Sequence, residues 1–323
     1  MCAAHWLVTG AAGMLAREVL TVLAQDPTAR VTGATRAALD ITDSPAVWAR
    51  VAEHDIVVNT AAWTDVDLAE THEAEALAVN GEAVGDLAAA CAAAAVPLIH
   101  VSTDYVFAGR STFPYAEYAA TGPLNAYGRS KLAGERAVAR VLPDTGYVVR
   151  TCWLYSLHGT NFAKKILHRL ATEDTVQVVD DQYGQPTCAR ALAVRLVELG
   201  RRALGHRAAA GIYHGSAAGR TTWFGFARAL LARLGIDPAR VRPCATADFP
   251  TPAVRPPYAV LGQDRWALAG LAPLAHWQDM LREALPPGPD QGPENAFTRL
   301  VRSAGHSDAR PPGGPTPLRK VGT

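Results

Sequence analysis

Residues 5–20 read HWLVTGAAGMLAREVL, an apolar run followed by a glycine-bearing turn and a helical pattern. The turn has the spacing Gly-x-x-Gly-x-x-Ala, a relative of the dinucleotide-binding fingerprint. In that fingerprint Gly10 permits the tight turn, Gly13 lets a pyrophosphate approach the backbone, and Ala16 meets the need for a small side chain. The first amides of the following helix attract phosphate. An ordinary strand-to-helix turn is the alternative, but this context favours a nucleotide.

The first half of the chain alternates short apolar runs with helical patterns. The predicted strands are His5–Thr9, Arg30–Ala34, Ile56–Asn59, Leu98–Val101 and Tyr147–Arg150, and the predicted helices are Ala16–Leu23, Ser44–Val51, Glu73–Ala94 and Tyr127–Arg140. Continuous apolar strands are typical of a parallel sheet that is covered on both faces. The pattern therefore predicts an α/β fold, a Rossmann-type doubly wound parallel sheet, with a dinucleotide-binding domain over residues 1–150.

The pattern loosens after residue 150. Predicted helices are Asn161–Ala171, Arg190–Leu199 and Thr222–Leu234, and predicted strands are Thr175–Val179 and Ile212–His214. We interpret residues 151–285 as mainly a smaller C-terminal substrate lobe, from which some segments can return to the sheet. Residues 286–323 are rich in Pro, Gly and polar residues, which predicts a disordered tail.

Composition excludes several classes of function. The chain has 323 residues, with 31 basic and 30 acidic side chains, so its charge makes no case for binding nucleic acid or an anionic membrane. Its five cysteines are scattered without a Cys-x-x-Cys pair, which predicts neither a disulfide framework nor a metal site. The longest apolar run, Leu87–Ile99, is shorter than the ~20 residues that span a bilayer. With no secretory signal visible, we predict a cytoplasmic protein.

The adenosine end of a dinucleotide is predicted near the second strand. Arg36 stands where a carboxylate commonly binds the ribose, and a guanidinium there can hold a 2′-phosphate. This favours NADPH over NADH, although a solvated surface arginine is the alternative. Asp40 and Ile41 lie where an adenine could rest, and the small residues Ala61 and Ala62 would let a cofactor lie against the backbone.

Two further motifs predict a reacting centre. Tyr127 and Lys131 are four residues apart, on one face of a helix, and an ammonium group beside a phenol is predicted to lower the phenol pKa. Ser102 and Thr103 follow the strand Leu98–Val101 at the end where open parallel sheets bind ligands. Together these groups can hold and protonate a carbonyl oxygen while hydride reaches its carbon. An exposed Tyr/Lys pair and ordinary turn chemistry are the alternatives.

The chain resembles the extended short-chain dehydrogenase/reductases, and within them the dTDP-4-dehydrorhamnose reductases and related dTDP-4-keto-6-deoxyhexose reductases. The resemblance runs from His5 to about Leu285. It rests on the order of these segments: VTGAAG (8–13), LDIT (39–42), VNTAAWTDVD (58–67), AVN (78–80), STDYVF (102–107), PLNAYG (123–128), RTCWLY (150–155), NFA (161–163) and DQYGQPT (181–187).

The resemblance implies an NAD(P)H-dependent oxidoreductase that reduces the C4 ketone of a dTDP-4-keto-6-deoxyhexose. Tyr127 would donate the proton, Lys131 would be its electrostatic partner and a ribose ligand, and Thr103 would orient the carbonyl. Thr103, Asp104 and Trp153 would contact the substrate, with core packing as the alternative for Trp153. The cofactor, NADPH with NADH left open, would contact Gly10, Ala11, Ala12, Gly13, Met14, Leu15, Arg36, Asp40, Ile41, Ala61, Ala62, Trp63, Tyr127 and Lys131.

Two other functions stay open at this point. One is a nucleotide-sugar epimerase of the same superfamily, and the other is a non-catalytic NADP-binding regulatory subunit, which could dispense with the Tyr/Lys pair. Dehydratases carry a glutamate directly after the Thr-Asp pair, and Tyr105 in that place argues against dehydration. The resemblance also allows a homodimer. It leaves the exact sugar and its C4 stereochemistry open.

Overall fold

The computed structural model describes residues 3–285, so the predicted tail at 286–323 lies outside the described residues. The strands are β1 (Ala4–Thr9), β2 (Ala29–Ala34), β3 (Ile56–Asn59), β4 (Leu98–Thr103), β5 (Gly146–Thr151), β6 (Leu154–Tyr155), β7 (Val176–Val179), β8 (Tyr183–Gly184), β9 (Thr187–Cys188), β10 (Gly211–His214), β11 (Thr221–Thr222) and β12 (Val241–Cys244). The α-helices are α1 (Met14–Leu23), α2 (Ser44–Val51), α3 (Val66–Ala69), α4 (Glu73–Leu77), α5 (Ala83–Ala93), α6 (Ala126–Val141), α7 (Phe162–Leu170), α8 (Ala189–Leu204), α9 (Trp223–Arg233), α10 (Arg265–Leu268) and α11 (Trp277–Ala284). A π-helix covers Ala78–Glu82, and 3-10 turns cover Asp104–Val106, Pro238–Arg240 and Thr246–Asp248.

A six-stranded parallel sheet forms the centre of the fold, in the order β2-β1-β3-β4-β5-β10. This confirms the predicted Rossmann-type fold. The strand order reverses between β1 and β3, because the chain leaves β1 toward one edge and later continues from β3 toward the other. In such sheets the crevice at the carboxyl ends of the strands beside this switch point receives the ligand.

The apolar strands of the sheet serve two separate cores. Trp6 and Val8 pack on the face covered by α1 and α8, while Leu7 packs on the face covered by α2, α5 and α6. Successive side chains of a strand point to opposite faces, so a continuous apolar run fills both cores. The sheet is thereby held rigidly, with its carboxyl-end loops left free to build a site.

The C-terminal half returns to this sheet. The predicted strand Ile212–His214 lies in β10, which pairs in parallel with β5 and brings Tyr213 beside Val149. Trp266 covers this edge and donates from Nε1 to the carbonyl of His214 at 2.7 Å. The lobe beyond the sheet is built on the short strand pairs β7–β12, β8–β11 and β6–β9.

The predicted helix Glu73–Ala94 is one helical run that a π-helical turn interrupts at Ala78–Glu82. Such turns are frequent at functional sites. In the described part of the chain, the run Glu73–Ala93 also has the length and composition of a membrane span, with a mean hydropathy of 1.2 over its most apolar window. Half of that window is buried, and core helices of globular proteins pass the same test.

Candidate active site

The turn after β1 has the features that a dinucleotide pyrophosphate requires. Gly10 has a φ of +69°, and a Cβ at this position would lie 2.8 Å from the Cα of Ala61. The turn therefore meets the loop after β3 at the switch point of the sheet, where only glycine fits. Gly13 is the N-cap of α1 and supplies no side chain to the first amides of the helix. Those amides can donate hydrogen bonds to an anionic ligand.

The other predicted cofactor residues have mixed surroundings. Leu15 and Ile41 are buried, at 6% and 4% exposure. Arg36 is 85% exposed, and its Nε donates to Asp40 Oδ2 at 3.0 Å. Hydrogen bonds from Thr42, followed in strength by the bond from Arg36, lower the pKa of Asp40. Arg36, which is predicted to bind the 2′-phosphate, is thus already paired with the carboxylate of Asp40.

Asn80, within the π-helical turn, fastens the loop that carries Trp63. Its Oδ1 accepts from the Trp63 amide at 2.9 Å, and its Nδ2 donates to the Trp63 carbonyl at 3.0 Å and to Ser130 Oγ at 2.9 Å. Ser130 lies on α6, so one buried amide joins the predicted cofactor loop to the helix of Tyr127. Asn80 lies in the segment AVN (78–80), to which the sequence alone assigned no such role. The presence of a polar side chain inside an apolar helical run was the feature of the sequence that could have indicated this role.

Tyr127 and Thr103 meet at the carboxyl end of the sheet. Thr103 is the last residue of β4, and Tyr127 lies in the first turn of α6, whose N-cap Asn125 accepts from the amide of Gly128 at 2.7 Å. Burial raises the pKa of Tyr127 to about 12, and a hydrogen bond with Thr103 opposes that shift. The predicted lowering of this pKa is therefore wrong for the ligand-free protein.

Lys131 does not offset this effect of burial, because its amino group is directed toward β4 and away from the phenol of Tyr127. This side chain is buried, and its Nζ donates to the carbonyl of Val101 at 2.7 Å and lies 3.3 Å from His100 Nε2. Its hydrogen-bond partners are on β4 and do not include the phenol of Tyr127. Burial lowers the pKa of Lys131 to about 8, while the charge of Glu135 opposes this shift. Spacing alone placed the pair on one helix face but did not determine the direction of the ammonium group.

Asp104 supplies a buried carboxyl group beside Thr103. Thr103 Oγ1 donates to Asp104 Oδ1 at 3.0 Å, while Oδ2 is buried with no hydrogen-bond partner among residues 3–285. Burial raises the pKa of Asp104 to about 7. Tyr105, next in the chain, packs edge-on against the ring of Tyr127 at 6.0 Å between centroids. The site therefore has two hydroxyl groups and a carboxyl oxygen that lacks a protein partner.

Trp153 lies just beyond β5 in a strained backbone conformation. Its φ of +46° is in the left-handed region, which costs on the order of 1–3 kcal/mol for such a residue. One ring face stacks on Trp223 at 3.5 Å between centroids, and Gly184 lies so near the ring that a Cβ there would be 2.5 Å from it. Partial exposure leaves the ring able to touch a ligand. The predicted substrate contact stays a prediction.

A buried ion pair that the sequence analysis missed connects α6 to the sheet. Arg150 on β5 donates to both carboxylate oxygens of Glu135, at 2.9 and 2.7 Å, and Ser102 Oγ donates to the same carboxylate at 2.6 Å. Both ionic side chains are at most 3% exposed. Glu135 is one turn beyond Lys131, and Ser102 precedes Thr103. The pair therefore sets the distance between the helix and the strand that carry the reacting groups.

A second ion pair fastens the segment Thr251–Pro257, which we call the strap. Arg255 donates to Asp67 Oδ1 and Oδ2 at 2.9 and 2.8 Å, and the amide of Ala253 donates to Asp67 Oδ1 at 3.1 Å. Asp67 belongs to α3, which directly follows the predicted cofactor loop. This bidentate geometry is the strong form of an arginine–carboxylate contact.

The strap also reaches the reacting groups. Asn125, the N-cap of α6, donates from Nδ2 to the carbonyl of Val254 at 2.9 Å. Arg255 hydrogen-bonds to Tyr105, whose ring packs against Tyr127. The lobe, the cofactor loop and the first turn of α6 are thus connected through one short segment.

We expect Asp67→Ala to lower the free energy of unfolding by about 1.5–3 kcal/mol, the contribution of hydrogen bonds to a charged group. Because the strap supports Tyr105 and the start of α6, kcat/KM should also fall, by up to ~10²-fold. Urea unfolding and steady-state rates measure both quantities. Glu53→Ala, which breaks the exposed pair Arg50–Glu53, is the matched control and should change stability by less than ~1 kcal/mol. Equal effects of the two variants would contradict this role of the strap.

Within residues 3–285, no group of three or more His, Cys, Asp or Glu side chains could hold a metal ion. The described cysteines, which are Cys91, Cys152, Cys188 and Cys244, are free thiols.

Comparison with known proteins gives concordant matches. The family model of the RmlD substrate binding domain matches residues 4–287. A dTDP-4-dehydrorhamnose reductase of Streptomyces griseus is 55% identical over 284 residues, 87% of this chain and 93% of that protein. A dTDP-4-keto-6-deoxy-D-glucose reductase of Streptomyces niveus is 48% identical over 286 residues, 87% of this chain and 96% of that protein. The crystal structure of dTDP-4-dehydrorhamnose reductase from Bacillus anthracis in complex with NADP has a TM-score of 0.82 and 31% identity, covering 88% of this chain and 99% of that one.

Proposed function

The chain belongs to the RmlD substrate binding domain family of dTDP-4-dehydrorhamnose reductases, and on this premise we propose that it reduces the C4 ketone of a dTDP-4-keto-6-deoxyhexose with NADPH. The observation that carries the proposal is the meeting of Thr103, Asp104 and Tyr127 at the carboxyl end of the sheet, in the fold whose switch point holds the Gly10 turn. NADPH, when bound, supplies the hydride.

The residues of the turn fit such a cofactor. Gly10 removes the side chain that would block the approach between the turn and Ala61, and the uncapped start of α1 offers amides to the pyrophosphate. Lys131 and Tyr127 would lie at the nicotinamide end. Asn80 hydrogen-bonds to both the amide and the carbonyl of Trp63, which gives the predicted cofactor loop a defined position.

Tyr127 is suited to donate a proton rather than to accept one. Since its pKa is about 12, the phenol is protonated throughout the neutral range and can deliver its proton to the oxygen of the ketone. The hydroxyl of Thr103, which already contacts the phenol, would orient the carbonyl. Asp104 Oδ2 can hydrogen-bond to a sugar hydroxyl in either protonation state, because a hydroxyl both donates and accepts.

The test is product analysis by NMR after incubation with NADPH and dTDP-4-keto-6-deoxyhexoses. We expect one mole of NADPH to be oxidised for each mole of 4-hydroxy sugar formed. An epimerase would change the substrate without net NADPH oxidation, and a regulatory subunit would leave both unchanged. The two named relatives act on different 4-keto-6-deoxy sugars, so the product spectrum also identifies the sugar and its C4 configuration.

We place the enzyme in the cytoplasm, a proposal supported by the free thiols of Cys91, Cys152, Cys188 and Cys244.

Arg36 is proposed to select NADPH over NADH. One charge-assisted hydrogen bond to a 2′-phosphate contributes roughly 1.5–3 kcal/mol, equivalent to ~10–100-fold in preference. We expect Arg36→Ala to lower the ratio of kcat/KM for NADPH to that for NADH by about 10-fold, the lower end, because the side chain is 85% exposed and shares its charge with Asp40. Arg50→Ala, another exposed ion-paired arginine, is the control and should leave the ratio unchanged. An unchanged ratio in Arg36→Ala would make Arg36 a solvated surface residue.

A further inference from the structure

A chain of buried hydrogen bonds crosses the sheet from the cofactor turn to Lys131. Thr9 Oγ1 donates to Asn59 Oδ1 at 2.6 Å, Asn59 Nδ2 lies 3.0 Å from His100 Nδ1, and His100 Nε2 lies 3.3 Å from Lys131 Nζ. Thr9, Asn59 and His100 are fully buried and Lys131 is 2% exposed. Each partner must therefore find its hydrogen bonds inside the protein.

The donor and acceptor directions along this series of hydrogen bonds are determined at Asn59. The backbone amide of Ala61, which can only donate, bonds to Asn59 Oδ1 at 3.2 Å. The carboxamide oxygen must therefore lie at that end, and the amide nitrogen must face His100. Because Asn59 Nδ2 donates, His100 Nδ1 has to accept and carries no proton. Burial holds the pKa of His100 well below its usual range, so the ring is neutral and its hydrogen is on Nε2.

The Nε2–H group of His100 then faces the nitrogen of Lys131. An ammonium group has donors only, so two donors would oppose each other across 3.3 Å. A neutral amine has a lone pair that accepts from Nε2–H, while one of its own hydrogens bonds to the carbonyl of Val101 at 2.7 Å. Of the two forms, only the neutral amine satisfies every partner.

We propose that His100 is a positioning residue that holds Lys131 as a neutral amine in the cofactor-free enzyme at alkaline pH, with Asn59 setting the direction of the hydrogen bond between them. The ionisable groups around Lys131 agree with this. Burial lowers the pKa of Lys131 to about 8, and the opposing carboxylate of Glu135 is already paired with Arg150 on β5.

Other ionisable groups of the site include Tyr127 on α6 and Asp104 after β4. The phenol of Tyr127 is neutral below pH ~12, and the carboxyl of Asp104 has a pKa of about 7. Neither of them is a hydrogen-bond partner of the Lys131 amine in the described structure.

The first test is the tautomer of His100 in ligand-free protein, read from long-range ¹⁵N–¹H correlations. The signal is assigned by subtracting the spectrum of His100→Gln. We expect the neutral tautomer with hydrogen on Nε2 at pH 9, where Lys131 is an amine, because the buried ring takes up no second proton there. Hydrogen on Nδ1, or a positively charged ring, would overturn the proposal whether or not any variant folds.

The second test reverses the direction of the hydrogen bonds between residue 59, His100 and Lys131. In Asn59→Asp the introduced carboxylate still accepts from Ala61, but it can only accept from His100, so the ring hydrogen should move to Nδ1. Nε2 would then accept from an ammonium group, which raises the titration midpoint of Lys131 by at least about one pH unit. The chain has four lysines, so the signals of ¹³C-labelled lysine are few, and Lys131→Met assigns the relevant one.

Asn161→Asp is the matched control. Asn161 is also buried, accepts from the amide of Lys164 at 3.1 Å and donates to the carbonyl of Ser156 at 2.8 Å, and neither of these partners is a histidine. It should leave the tautomer of His100 and the midpoint of Lys131 unchanged. An Asn59→Asp protein that is folded and shows no change in either quantity would overturn the proposal.

A consequence for cofactor binding rests on the proposed function. An anionic cofactor favours the ammonium form, so NADP⁺ binding above pH ~8 should take up as much as about one proton per chain. Calorimetry in two buffers of different ionisation enthalpy measures this uptake, which Asn59→Asp should reduce. Failure to bind NADP⁺ would contradict the proposed function, whereas binding without proton uptake would contradict the neutral Lys131.

Discussion

Tyr127→Phe is expected to lower kcat by ~10²–10⁴-fold, the usual contribution of a positioned general acid. The substitution removes the phenolic oxygen that contacts Thr103 and leaves the ring that packs against Tyr105. The affinity for NADP⁺, measured by calorimetry, should change little. Since the phenol pKa is raised to about 12, the wild-type donor is fully protonated at neutral pH, and its ionisation should not limit the rate there.

Tyr118→Phe is the control for this prediction. Tyr118 is 93% exposed, so losing its hydroxyl should leave the rate unchanged. Near-normal turnover in Tyr127→Phe would refute the proton-donor role and would leave Thr103 or Asp104 to supply the proton.

Glu135→Ala is expected to destabilise the protein by about 3–5 kcal/mol, the cost of leaving a buried charge without its partner. Among residues 3–285, Arg150 would keep as partners the carbonyl of Glu117 at 3.3 Å, the ring nitrogen of His214 at 3.4 Å and the ring of Phe107. His214 cannot compensate, because burial and the neighbouring Arg150 lower its pKa to about 3 and it carries no negative charge. The midpoint of urea unfolding measures the loss.

Two comparison variants separate the buried charge from simple loss of packing. Glu173→Ala breaks the partly exposed pair Arg169–Glu173 and should cost less than ~1 kcal/mol. Glu135→Leu combined with Arg150→Met removes both charges and should regain most of the stability, because an apolar pair avoids desolvation. A loss below ~1 kcal/mol in Glu135→Ala would show that the pair contributes little. A double variant as unstable as the single one would assign the loss to packing.

The sequence could predict those parts of the site whose conformation depends only on residues that are close together in the chain. The Gly10 turn, the start of α1 and the spacing of Tyr127 and Lys131 follow from turn chemistry and helical periodicity, and the structure contains all three. The residues missed were polar groups inside apolar stretches, such as Asn80 and His100. Nothing in their neighbours along the chain identifies their partners, which are contributed by other elements.

The sequence by itself determined the strands of the sheet, the helices between them, and which residues stand at the carboxyl ends. Periodicity and small residues at turns are local signals, and burying the apolar runs on both faces leaves few alternatives. Only the tertiary structure decided that residues 211–214 close the edge of the sheet, that Arg36 pairs with Asp40, and that Lys131 faces His100 instead of Tyr127. Burial of the phenol, with the ammonium group directed elsewhere, raises the pKa of Tyr127, opposite to the expected shift. Desolvation and hydrogen-bond direction depend on groups such as His100 and Lys131, which are 31 residues apart in the chain and are brought together only when the sheet assembles.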